Sequence, residues 1–121
     1  MSLQAYQQAA QRAESPRDTE YRLFAEVTRA LIAAQQAERH DFKTRVGALD
    51  WNRRLWTTLA IDCGRPDNRL PDAVRAHIIS LSIWVSKYTS QMIREQGNYD
   101  LLIEVNRIIM QGLTPQAAQA A

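Results

Sequence analysis

The sequence predicts an all-α protein, a small bundle of about five helices. Two observations carry this: glycine and proline number only four each and fall between apolar patterns rather than inside them, and those patterns recur at three- and four-residue spacing. A length of 121 residues suits one compact core and is too short for two. Residues 1–113 are therefore expected to form a single helical domain, and residues 114–121 an Ala-rich mobile tail.

The first helix is expected from Leu3 to about Ala13, where Leu3, Tyr6, Ala10 and Ala13 keep helical spacing. Ser15-Pro16-Arg17-Asp18 then supplies an N-cap hydroxyl, a proline whose missing N–H costs nothing in a first turn, and an early acid. The second helix should run to about Ala37, with Leu23, Phe24, Val27, Ala30, Leu31 and Ala34 on its packing face. Asp41 is a plausible N-cap for the third helix, which should end at Gly64 through a left-handed glycine. At 100° per residue, Phe42, Val46, Leu49, Trp56, Leu59, Ala60 and Cys63 share a side that also takes in Asn52. Trp51 falls almost opposite.

Arg65 to Leu70 reads as a polar loop, and Pro71-Asp72 opens a fourth helix extending to Gln96 with Gly97 as its cap. Its main stripe is Val74, His77, Ile78, Leu81, Trp84, Val85, Tyr88 and Met92, while Ile79 and Ile83 sit together on the reverse. The fifth helix lies between Asn98 as N-cap and Gly112. Asp100, Glu104, Arg107 and Gln111 form its polar strip, leaving an apolar arc of roughly 200° interrupted by Asn106. Such a helix is central, or docks a partner on its second side.

The charges, 15 Lys and Arg against 13 Asp and Glu, are interleaved and give +2, too balanced to imply a polyanionic partner. One cysteine, Cys63, excludes an internal disulfide framework and fits a reducing cytoplasm. The N-terminus lacks the basic flank and apolar run of a signal peptide. The charge-free stretch Ala76–Ser86 reaches only about half of the ~20 residues a membrane span needs, so no membrane association is expected.

Enzymatic templates fail on ingredients. His40 and His77 offer no paired-ligand spacing, phosphate-wrapping glycine strings are missing, and Cys63 on a packing stripe behaves as a small hydrophobe. No enzyme, metal or cofactor is expected. Asn52 and Asn106 carry more information, because an amide on an apolar arc must find hydrogen bonds or pay for desolvation. Each precedes an arginine, in Asn52-Arg53 and Asn106-Arg107, and the favoured reading is a buried polar set that fixes helix register. Direct contact with a partner is the alternative. Trp51 either packs under the N-terminal segment or is an exposed anchor. Trp51, Arg54, Ile79, Ile83, Ile103 and Met110 are the expected partner-facing residues, being off the inferred core arcs or on the second apolar side of the last helix.

Asn52-Arg53-Arg54-Leu55-Trp56-Thr57, Ser80-Leu81-Ser82-Ile83-Trp84-Val85, and Leu102-Ile103-Glu104-Val105-Asn106-Arg107 followed by Gly112-Leu113 resemble the FlaF family, flagellar biosynthesis regulators of α-proteobacteria. Tyr6, Ser15-Pro16-Arg17 and Leu70-Pro71 follow in the family's order. Trp84 stands where phenylalanine is expected, which enlarges the residue without changing its character. The resemblance implies a cytoplasmic protein that promotes flagellin production and secretion, opposes the translational repressor FlbT, and binds flagellin as an export chaperone. A chaperone must cover amphipathic terminal helices, and the surplus apolar faces of the last two helices are where such a groove could lie. The alternative is a post-transcriptional regulator acting on flagellin mRNA through FlbT or direct RNA contact, for which Arg39, His40, Lys43, Arg45, Arg53 and Arg54 give a modest basic cluster. With few stacking aromatics beside it, nucleic acid is not the expected partner.

Overall fold

The computed structural model describes residues 2–5 and 16–112. Residues 3–5 are helical, and four longer helices follow: α1 (Pro16–Gln36), α2 (Phe42–Cys63), α3 (Asp72–Glu95) and α4 (Tyr99–Gly112). There is no strand among the described residues. The rest of the expected first helix and the Ala-rich tail lie outside them.

Each start has a local cause. Asp41 caps α2 by accepting from the Thr44 N–H at 3.2 Å, and hydrogen bonding by the Thr44 side chain and then by its N–H holds the carboxyl below the usual range. Asn98 caps α4, its Oδ1 accepting from the Asp100 N–H at 2.9 Å. Two stops differ from expectation. Gly64 closes α2 in a right-handed conformation, φ −83°, its N–H shared among the last carbonyls. At the end of α3 it is Gln96, not Gly97, that takes positive φ, at 60°. Gly97 is needed for space instead: a Cβ there would stand 2.7 Å from Met92 Cγ and 3.2 Å from the Tyr88 hydroxyl.

Packing follows an open chain. α3 lies on α2, α2 on α1, and α1 on α4, whereas α3 and α4, though joined by a tight turn, are not among the closely approaching pairs. The core gathers on Phe24, Leu31, Trp56, Val85 and Leu102. Phe24 and Trp56 meet edge to face, centroids 5.4 Å apart, and burying such side chains contributes about 1.5–3 kcal/mol each. In α1, Phe24, Val27, Leu31 and Ala34 are buried as expected, joined by Thr28, while Leu23 and Ala30 are half-buried. In α2, Leu49, Asn52, Trp56, Leu59 and Cys63 are buried as expected and Ala60 is half-buried, but Phe42 and Val46 in the first turns are exposed.

The α3 stripe is rotated from the expected one. Its buried positions are Ile78, Ser82, Val85, Thr89 and Met92, while Val74, His77 and Trp84 face outward. Ser82 explains the rotation, since its hydroxyl donates to the Trp56 carbonyl at 3.2 Å, an approach that a small side chain permits.

Candidate partner-binding surface

Five polar groups meet inside the bundle. Asn106 Nδ2 donates to Asn52 Oδ1 at 2.8 Å and to Thr28 Oγ1 at 3.2 Å, and its Oδ1 accepts from Trp56 Nε1 at 2.8 Å. Thr28 in turn donates to the Phe24 carbonyl at 2.6 Å. Both asparagines are fully buried, so these bonds work without competition from water and join α1, α2 and α4 at one level. The expected buried amide pair is therefore present. Its arginines divide: Arg53 stays close, bonded to Asp50 at 3.2 Å and to Ser90 of α3 at 3.5 Å, whereas Arg107 is exposed and takes no part. The 3.6-residue turn points each arginine about 100° away from its asparagine, and Arg53 finds Asp50 and Ser90 in that direction whereas Arg107 meets solvent.

The expected partner-facing residues also divide. Trp51 is exposed, Ile83 is 53% accessible, and Arg54 lies on the surface paired with Asp50 at 2.9 Å. Ile79 and Met110 are half-buried against the core, with Met110 Sδ 4.0 Å from the Thr28 hydroxyl. Ile103 must be corrected outright, because it is only 4% accessible and packs in the core. The arc of α4 facing α1 is the side taken for surplus, and the surplus lies on the other flank.

That flank carries Leu101, Val105 and Ile108, of which Leu101 and Ile108 are exposed. Met110 points to α1, while Ile109 reaches a cavity shared with Val74 and Ile78, so the Leu101–Val105–Ile108 strip lies on the α3 side of α4. The matching edge of α3 is Trp84 and Tyr88, stacked with centroids 5.1 Å apart and planes within 8°. The Tyr88 hydroxyl spans the turn, accepting from the Asn98 N–H at 2.9 Å and donating to its carbonyl at 3.1 Å. An apolar band thus runs along the two edges that the helix packing leaves unpaired. Sequence reasoning had Trp84 in the core because Ser82 and Thr89 look polar. Their seven-residue spacing between Ile78, Val85 and Met92 was the available signal.

A cavity of about 350 Å³ lies where α1 and α3 begin and α2 and α4 end. Leu59, Leu70, Val74, Ile78 and Ile109 give it apolar walls, with Glu20, Asp62 and His77 also lining it. Burial, and then Asp62, raise the Glu20 carboxyl above its usual value, partly offset by Arg17. Cys63 borders the same cavity, but burial and the acids Asp62 and Glu20 push its thiol up, the reverse of what activates a nucleophile. No three metal-ligating side chains cluster among the described residues, and no described helix is long and apolar enough to cross a membrane.

These features define a small all-α bundle held by a buried amide network, with apolar helix edges on its outside. The chain belongs to the FlaF family: the family model described as flagellar protein FlaF matches residues 2–113. No match was found among curated proteins or solved structures.

Proposed function

We propose that the protein is a cytoplasmic export chaperone for flagellin that promotes flagellin synthesis and secretion, holding a helical flagellin segment along the band between α3 and α4. The observation that carries this is the pair of apolar edges, Trp84 and Tyr88 on one helix and Leu101, Val105 and Ile108 on the next, on consecutive helices that do not pack closely together. An amphipathic helix laid there would cover both edges, the usual economy of helix-in-groove recognition. Family membership supplies the flagellar context.

The test is co-elution of the purified protein with flagellin at micromolar concentration in size-exclusion chromatography. Ile108→Asp should abolish co-elution while circular dichroism stays helical, since the side chain is 54% exposed. Retained co-elution by a helical Ile108→Asp protein would remove the band from the interface.

A second reading, regulation of flagellin mRNA through FlbT or RNA contact, draws on the basic cluster. Arg53 and Arg54 share the single carboxylate of Asp50, which offsets one of their two charges and weakens the case for direct RNA contact.

A further inference from the structure

At the end of the bundle opposite the 350 Å³ cavity, α2 begins, α3 ends and α4 begins around a smaller cleft of about 190 Å³. Phe42, Val46 and Ile93 line it and are exposed, Phe42 at 70%. Arg39, Arg45 and Arg94 line it too, and none has a carboxylate within 4.0 Å among the described residues. Five other arginines are matched, Arg22 with Glu26, Arg53 and Arg54 with Asp50, Arg65 with Asp67, and Arg75 with Asp72, whereas Arg17, Arg29, Arg69 and Arg107, like the three at this cleft, are in no such pair among the described residues. Of the nearby acids, Glu38 lies 3.7 Å from His40 and Asp41 caps α2, and neither these nor the exposed Glu95 lines the cleft.

Two of the guanidinium groups are held in place without being neutralised. Arg39 donates to Gln96 Oε1 at 3.2 Å, and Arg45 lies over the Tyr99 ring, 5.5 Å from its centroid. The backbone beneath is set by the positive φ of Gln96 and by the close approach at Gly97. A half-apolar cleft edged by three unneutralised arginines, two of them held in place, has the chemistry to receive a bulky apolar side chain flanked by carboxylates.

We propose that this cleft is a second docking site, taking an acidic amphipathic peptide segment of a partner protein. Its large apolar side chain would insert between Phe42, Val46 and Ile93, and its carboxylates would pair with Arg39, Arg45 and Arg94. The site is separate from the α3–α4 band and does not depend on the flagellin reading.

The experiment is fluorescence anisotropy with a labelled amphipathic peptide bearing Leu and Phe on one face and Glu on its flanks, against the same peptide with every Glu replaced by Lys. The Glu peptide should bind the wild-type protein, and binding should weaken about tenfold or more with the Lys peptide, with Arg94→Glu and with Phe42→Ser, in proteins whose circular dichroism is unchanged. Equal binding of both peptides, or insensitivity to both substitutions, would overturn the proposal. So would binding of a single-stranded RNA oligonucleotide that requires Arg94 but not Phe42 while the Glu peptide fails to bind. Flagellin co-elution measured on the Arg94→Glu protein separates the two sites, because that variant should still co-elute.

Discussion

Trp56 of α2 donates its indole N–H to the side-chain oxygen of Asn106 in α4 at 2.8 Å, with both residues fully buried. Asn106→Ala strands that indole N–H and the Asn52 oxygen together, and should cost about 2–4 kcal/mol. Asn52→Ala should cost less, about 1 kcal/mol, because Asn52 Nδ2 has no partner among the described residues and Asn106 Nδ2 keeps Thr28. Urea denaturation of the two variants checks the order, and equal losses would contradict the network.

Thr89 is fully buried on the α3 seam, and its hydroxyl has no hydrogen-bond partner among the described residues. Thr89→Val keeps the shape and removes the desolvated oxygen, so it should stabilise the fold by about 1 kcal/mol. A raised thermal midpoint is the expected readout.

The α3–α4 turn separates two neighbouring residues by mechanism. Gln96→Gly relieves a positive φ and should be neutral to stabilising by up to about 1 kcal/mol despite losing the bond to Arg39. Gly97→Ala drives a methyl into Met92 and Tyr88 and should destabilise by about 1–3 kcal/mol. Opposite signs at adjacent positions, measured by chemical denaturation, would be hard to obtain from any general effect of loop flexibility.

Glu20 has its folded pKa raised above the ordinary value of 4.5, by burial first and by Asp62 second. A raised folded value means that the proton is held more tightly in the folded state, so the contribution to stability is full below the unfolded value and is lost as pH rises through the folded one. Glu20→Gln removes this dependence. Relative to that variant, the wild-type protein should lose stability between mildly acidic and neutral pH, as followed by urea midpoints across that range.

Most of the architecture was legible in the residues. Asp41, Asn98 and the prolines mark helix starts that the structure repeats to within a residue, because capping is a local property of the chain. The amide pair was legible for the same kind of reason: Asn52 and Asn106 interrupt stripes that are otherwise apolar. The α3 register was legible only through the seven-residue spacing of Ser82 and Thr89, since their burial comes from how closely α3 approaches α2 and leaves no sign in the hydropathy of either residue. Ile103 was misplaced on the same account. Helical spacing reports that α4 has a wide apolar arc, but not which part of it α1 will cover.

The bond between residues 56 and 106 also bears on how the chain is made. A tryptophan translated midway through the sequence has its partner 50 residues downstream, and the Thr28 hydroxyl waits 78 residues for its amide. While the polypeptide is still being elongated, the first three helices can meet but their shared interior stays open on one side. Completion of the interior is thus a late event of biosynthesis, and a nascent chain stalled before residue 106 leaves the ribosome would show aromatic surface to the surrounding quality-control machinery.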